Sequence, residues 1–144
     1  SFLRKEVELA APLYRPTVVL ALASAAERHR AVRALLVELT AHREQFTAAA
    51  ACRALTPYAG SPSVRRALVT ALDRRSDEVV FWATVALAGQ HGDPAVRAAL
   101  CRVAPRRTGS APLRATSVVG GALPHPEVVR ALGSILLQGS LTLQ

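Results

Sequence analysis

The chain has 144 residues, of which 51% are hydrophobic and only 4% aromatic, and its 18 Lys and Arg against 10 Asp and Glu give a net charge of +8. This length suits one domain of ordinary size, and so few aromatic residues argue against a β-rich fold. No stretch approaches the roughly 20 apolar residues of a membrane span. The excess positive charge makes an acidic protein or a nucleic acid an acceptable partner.

The sequence predicts a first helix over residues 1–11, which we interpret as the second helix of a preceding repeat. After it, two classes of predicted helix alternate along the chain. The first class, helix A, is predicted over 16–27, 44–58, 77–90 and 111–123. The second class, helix B, is predicted over 30–42, 62–74, 94–105 and 126–138. Together they form four A–B pairs over about 13–43, 44–75, 76–107 and 108–139.

A repeated proline defines the period of these pairs. Pro62, Pro94 and Pro126 are each separated by 32 residues, and a constant interval in this range indicates a repeat architecture. The core rows of helix B recur at the same interval and follow the i, i+4, i+7 spacing of one helix face. They are Val32, Val64 and Val96; Leu36, Leu68, Leu100 and Leu132; and Leu39, Ala71, Val103 and Ile135.

Helix A carries its own apolar rows with a spacing of i, i+3, i+4. Many of the positions are alanine, which allows neighbouring helices to approach closely. The rows are Val19, Ala51, Ala83 and Ala115; Leu22, Ala54, Ala86 and Val118; and Ala23, Leu55, Leu87 and Val119. A single pair of this size cannot bury its apolar face, so stacked pairs are needed. The sequence therefore predicts an all-α fold, an α-solenoid in which stacked antiparallel helix pairs form a right-handed superhelix.

The start of each helix B has recognisable capping chemistry. Ser61 and Asp93 are good N-cap residues, and proline follows each of them at N1. His29 and His125 occupy the equivalent positions and are expected to be poorer caps.

The segment Asp93-Pro94-Ala95-Val96-Arg97-Ala98-Ala99-Leu100 resembles the D-P-x-V-R-x-A-x motif of HEAT-type repeats with a short period. That resemblance implies an α-solenoid that binds other macromolecules along an extended surface.

Arginine also recurs at the repeat interval. The resemblance to HEAT-type repeats implies that Arg33, Arg65 and Arg97 form an internal ladder that hydrogen-bonds neighbouring turns. A second row ends each helix B at His42-Arg43, Arg74-Arg75 and Arg106-Arg107. Cations there can cap the helix C-terminus, or they can form a basic edge that contacts phosphates or an acidic partner.

Candidate partner-binding residues come from this edge, from the outer face of helix B and from the single tryptophan. In stacked repeats the B helices generally line the concave side, and arginine is enriched at interface hot spots. An exposed Trp82 is a candidate anchor, although packing against the next layer is the main alternative. The candidate residues are Arg66, Arg102, Arg130, Arg74, Arg75, Arg106, Arg107 and Trp82.

The sequence contains no pattern typical of a catalytic centre, a metal site or a cofactor site. Cys52 and Cys101 fall on different helices, so we expect reduced thiols and a cytoplasmic protein. Only Lys5 among the basic residues is lysine, a preference typical of a GC-rich, bacterial coding sequence.

Three functions are considered on this basis. The first is a non-catalytic protein–protein interaction scaffold, which binds another protein or another domain of the same protein. The second is a nucleic-acid-binding solenoid that uses the basic edge. The third is an enzyme or an enzyme accessory on the same repeats, for which no catalytic constellation is present. Because the last eleven residues carry no charge, we also expect more chain, a partner or end-to-end self-association at that end.

Overall fold

The structure is a computed structural model that describes residues 2–103. Within this range it contains seven α-helices and no strand, which confirms the predicted all-α class. The helices are α1 (Phe2–Leu9), α2 (Arg15–Ala26), α3 (Arg30–Leu39), α4 (Gln45–Ala54), α5 (Pro62–Ala71), α6 (Asp77–Leu87) and α7 (Pro94–Val103), with a 3-10 turn at Thr56–Tyr58. The helices predicted over 111–123 and 126–138 lie outside the described residues.

The helices are arranged in two layers. Helices α2, α4 and α6, predicted as helix A, pack against one another in chain order. Helices α3, α5 and α7, predicted as helix B, form the second layer in the same way, and α2 packs on α3 between the layers. Helix α1 packs on α2, so it precedes the first of these pairs.

The core lies between the layers and contains residues of both helix classes. Every member of the helix B rows within the described residues is buried, from Val32, Leu36 and Leu39 in α3 to Val96, Leu100 and Val103 in α7. The helix A rows are buried in α4 and α6, whereas Leu22 and Ala23 of α2 are only half-buried. Helix α2 has one such neighbour, α4, among the described helices, so less of its apolar face is covered.

Helices α3 and α5 end earlier than predicted because the backbone changes its hydrogen bonding at the last turn. After Leu39, the N–H of Ala41 donates to Glu38 and that of His42 donates to Leu39. These are i to i−3 bonds, the 3-10 pattern that often tightens a helix end. The same pattern follows Ala71, where the N–H of Arg74 donates to the Ala71 carbonyl. The predicted helix over 62–74 therefore finishes as a tight turn.

The long helix predicted over 44–58 is interrupted. Helix α4 ends at Ala54, and a 3-10 turn over Thr56–Tyr58 follows it. Pro57 explains the break, because it has no N–H to donate and its ring clashes with the preceding helical turn. The chain direction changes here, and α5 then begins after the N-cap residue Ser61.

The helix N-termini are capped partly by residues that the sequence did not single out. The Asp93 carboxylate accepts from the Ala95 N–H at 2.8 Å, as predicted. Ser61 and His29 stand at N-cap positions without a side-chain cap bond. Glu44 caps α4 through the N–H groups of Phe46 and Thr47, and Ser76 caps α6.

A search of residues 2–103 finds no helix with the length and apolar character needed to cross a membrane.

Candidate functional site

Two of the predicted site residues, Arg66 and Arg74, line an open groove between consecutive B helices, which we call the α3–α5 groove. The groove has a volume of about 560 Å³. Its apolar lining comes from Val37 and Ala41 on the α3 side and from Ala67 and Ala71 on α5. Its polar lining comes from Thr40, Ser63 and Thr70. A groove of this size is in the range of ligand-binding clefts in proteins.

Arg74 forms one end of the α3–α5 groove and is fixed by backbone contacts. Its Nη1 atom donates to the carbonyl oxygens of Thr40 at 3.0 Å and His42 at 2.7 Å. These carbonyls lie at the C-terminal end of α3, where helical carbonyls lack an intrahelical partner. The side chain is half-buried. This arginine row was predicted either to cap helix C-termini or to form a basic edge, and Arg74 acts as a cap. The helix that it caps is α3, which belongs to the preceding pair.

Arg66 has a different environment from Arg74, although both line the same groove. It is exposed, and no acidic side chain pairs with it within residues 2–103. Glu38, on the neighbouring helix, is 3.1 Å from Arg4 instead. The Arg66 guanidinium is therefore available to a carboxylate or phosphate that enters the groove.

Arg102 and Arg75 complete the predicted basic residues that the structure describes. Arg102 lies 3.6 Å from Asp73 in an exposed ion pair, and Arg75 is exposed beside Arg74. The remaining predicted residues, Arg106, Arg107 and Arg130, lie outside the described residues. The structure therefore brings Arg66 and Arg74 together and leaves Arg75 and Arg102 away from the groove lining.

The groove also contains two threonine hydroxyls that already donate their protons to backbone carbonyls. The Thr70 hydroxyl donates to the Arg66 carbonyl at 3.0 Å, and the Thr40 hydroxyl donates to the Val37 carbonyl at 2.7 Å. A donating hydroxyl keeps lone pairs that accept hydrogen bonds. Thr70 is exposed whereas Thr40 is buried, so Thr70 is the acceptor that an incoming group can reach.

The contact predicted for the arginine ladder is seen at Arg65, and Arg33 reaches the equivalent turn of the next pair through an aromatic ring. Arg65 reaches forward to the next turn, where its Nε atom is 3.1 Å from Asp93 and its Nη1 atom donates to Gln90 at 3.3 Å. Arg97 donates to the carbonyls of His91 and Gly92 in its own pair. Arg33 lies over the Tyr58 ring, 5.5 Å from its centroid. All three rungs use their charge inside the molecule.

Trp82 packs mainly within the protein. Its indole N–H donates to Glu78 at 3.1 Å, the Arg53 guanidinium lies 4.8 Å from its ring centroid, and Phe81 meets it edge-on. The uncovered part of the ring lines a second cleft of about 360 Å³ with Phe46 at the start of α4. Packing thus accounts for most of the Trp82 surface, through contacts with α6 itself and with Arg53 of the preceding pair. The next layer, against which Trp82 was predicted to pack, lies outside the described residues.

Contacts between α1 and the end of α3 were not predicted from the sequence. Glu8 lies 3.2 Å from the Nε2 atom of His42, and Arg4 pairs with Glu38. The Glu44 N–H donates to Nδ1 of His42 at 3.1 Å, so the ring proton of neutral His42 is on Nε2 and faces Glu8. Both α1 contacts join residues 34 positions apart, which differs from the 32-residue period, so alignment of the repeats does not reveal them.

Two titratable groups of the described part of the chain have displaced pKa values. Burial raises the pKa of the Cys52 thiol to about 12, although the nearby charge of Arg74 acts in the opposite direction. Partial burial also pushes the pKa of Glu44 upward, but the hydrogen bonds that its carboxylate accepts from the Thr47 hydroxyl and from the backbone N–H groups of Phe46 and Thr47 outweigh this effect. The pKa of Glu44 is therefore lowered.

Within residues 2–103, no three His, Cys, Asp or Glu side chains cluster as metal ligands.

Comparison of the chain with protein-family models, with curated proteins and with solved structures finds no match.

Proposed function

We propose that this chain is a non-catalytic protein–protein interaction scaffold, an α-solenoid of HEAT-like repeats arranged as a right-handed superhelix. The two helical layers and the burial of the helix B rows at a 32-residue interval support the repeat architecture. In such an architecture each pair contacts its neighbours, and the helices of one layer provide an extended binding surface. In this proposal, α3, α5 and α7 form that surface.

The α3–α5 groove is the observation that carries the proposal. It lies between helices of consecutive pairs, combines apolar and hydroxyl-bearing walls, and contains an exposed arginine without an acidic partner among the described residues. Protein interfaces combine an apolar centre with a polar rim in which arginine is frequent. An extended segment of another protein suits this combination of walls.

The alternative function, nucleic-acid binding through a basic edge, has weaker support from the described residues. A protein that binds a nucleic acid needs several cations facing the phosphates. Here Arg65, Arg74 and Arg97 contact groups within the protein. The net charge of +8 remains its main support.

Affinity capture with groove variants tests the scaffold proposal. The full chain is used as bait in an extract of its source, with and without nuclease, beside the variants Thr70→Trp and Thr17→Trp. Thr70 lines the groove, whereas Thr17 is exposed on α2, outside the proposed binding surface, and lines neither cleft. We expect one protein to be retained after nuclease treatment, lost with Thr70→Trp and kept with Thr17→Trp.

Reconstitution with that protein in purified form completes the test. Direct binding that Thr70→Trp weakens at least tenfold supports the scaffold proposal. Capture that disappears with nuclease, or binding of duplex DNA at low salt that is as tight as any protein binding, supports the nucleic-acid alternative instead.

A further inference from the structure

We infer that the α3–α5 groove binds an acidic segment of a partner protein, with Arg66 as the residue that holds a carboxylate of that segment. This inference rests on the proposed function and specifies the chemistry of the partner. Arg66 is exposed at the groove and has no acidic partner within residues 2–103. A guanidinium presents donors in a fork that matches a carboxylate.

The rest of the groove complements a peptide backbone. The Thr70 oxygen beside Arg66 has its proton engaged with the Arg66 carbonyl, and it can accept a hydrogen bond from a peptide N–H. The small side chains of Ala41 and Ala67 leave space for an extended chain. The groove thus provides a donor for a carboxylate, an acceptor for a backbone N–H and an apolar wall for the side chains between them.

The pattern of charge favours a local carboxylate site over a track for nucleic-acid phosphates. The residues that occupy the Arg66 position in the neighbouring pairs, 32 residues away on each side, are Ala34 and Ala98. Arg74, the other cation of the groove, is directed to the carbonyls of Thr40 and His42. A phosphate track requires a series of cations along the surface, whereas a single unpaired guanidinium matches one carboxylate.

Titration of the isotope-labelled full chain with defined peptides, followed by NMR, tests this inference. The probe is a capped ten-residue peptide of alternating Glu and Ala, and its control carries Gln in place of Glu. We expect saturable shifts in the backbone signals of Ala41, Ala67 and Thr70 with the Glu peptide. The Gln peptide should bind at least tenfold more weakly, because it lacks the carboxylates.

Variants connect the binding to the groove. Arg66→Glu and Arg66→Ala should each weaken the Glu peptide at least tenfold, and Arg66→Lys should weaken it less. Arg28→Glu is the matched control, since Arg28 is exposed between α2 and α3 and its substitution changes the net charge equally. Unchanged dispersion of the amide signals shows that each variant is folded.

Several results would overturn the inference. They are the absence of saturable shifts with the Glu peptide, equal binding of the Gln peptide, and an equal loss with Arg28→Glu. Tighter Arg66-dependent binding of a single-stranded oligonucleotide of the same charge would assign the groove to nucleic acid. If the peptide fails while a captured protein still binds and is still sensitive to Thr70→Trp, the carboxylate assignment is wrong and the scaffold proposal stands.

Discussion

The Nη1 atom of Arg74 lies 2.7 Å from the carbonyl oxygen of His42, the residue at the same position in the preceding 32-residue unit. This hydrogen bond therefore joins two residues that are separated by one repeat interval. The bond joins the turn after α5 to the turn after α3, where backbone carbonyls lack helical partners. Through this bond Arg74 holds the turn after α5 against the turn after α3.

Replacement of Arg74 should therefore destabilise the fold. Hydrogen bonds from a charged donor contribute about 1.5–3 kcal/mol, and Arg74→Met removes two such bonds while retaining an apolar stem. We expect the free energy of unfolding in urea to fall by about 2–3 kcal/mol, less than the sum of two such bonds, because water can replace the guanidinium in this half-buried turn. Arg43→Met is the control, because Arg43 is exposed in the turn after α3, and its effect should stay within about 0.5 kcal/mol. Equal effects of the two variants would contradict the capping role of Arg74.

The core could be predicted from the sequence because the period and the helical spacing act together. Val64, Leu68 and Ala71 recur on one face of α5 and share their positions with buried residues of α3 and α7. The helix ends could not be predicted equally well. They depend on a change to i to i−3 hydrogen bonding after Leu39 and Ala71, which has no strong residue signature.

The site could be predicted only in part because charge pairing depends on the relative placement of helices. Arg66 and Arg74 were both candidates, but their environments differ through contacts that the sequence does not contain. Glu38 lies on α3, the helix next to the one that carries Arg66, and it pairs with Arg4. The interval of 34 residues between Arg4 and Glu38 reflects how α1 sits against α3, and a 32-residue alignment misses it.

The cap of α4 should make stability depend on pH in the acidic range. The pKa of Glu44 is lower in the folded chain than its ordinary value of 4.5, so the unfolded chain takes up the proton first. Its contribution is therefore present above that ordinary value and is lost as the pH falls through the folded pKa.

Urea denaturation of Glu44→Ala measures this contribution. At about pH 7 the loss should be about 1 kcal/mol, typical of a removed N-cap, and at about pH 3.5 it should be smaller. Glu6→Ala, an exposed change in α1, should have little effect at either pH. A loss for Glu44→Ala that is the same at both pH values would show that the carboxylate charge is unimportant for the cap.

The thiol of Cys52 should make stability fall at alkaline pH. Burial raises its pKa from 9.0 to about 12, so above about pH 9 the unfolded chain loses this proton while the folded chain keeps it. The contribution is complete below that pH and declines toward pH 12, with a slope that approaches about 1.4 kcal/mol per pH unit.

Comparison with Cys52→Ala isolates this slope from the titration of other groups. The stability of the original chain relative to Cys52→Ala should decrease between about pH 9 and pH 10.5. In the same range a thiol reagent should modify Cys52 only after urea is added, because the thiolate is the reactive form. A relative stability that does not change with pH would contradict the burial effect.

The ion pair between Arg65 and Asp93 should couple neighbouring units more strongly than the pair between Arg102 and Asp73. In the first pair the side chains are 26% and 27% exposed at 3.1 Å, and in the second they are 45% and 65% exposed at 3.6 Å. Exposed pairs are weakened by water and salt. We expect a coupling energy of about 1 kcal/mol for the first pair and less than about 0.5 kcal/mol for the second.

Two double-mutant cycles, each combining Arg→Met with Asp→Asn, measure these energies. Asparagine is chosen because Asp93 also accepts from the Ala95 N–H, and asparagine is an equally good N-cap residue. The cycle therefore removes the charge of Asp93 while it keeps the cap of α7. Added salt should reduce the Arg102–Asp73 coupling by a larger fraction than the Arg65–Asp93 coupling, because the exposed pair is screened more completely. Equal couplings in the two cycles would show that the Arg65 rung does not join successive units.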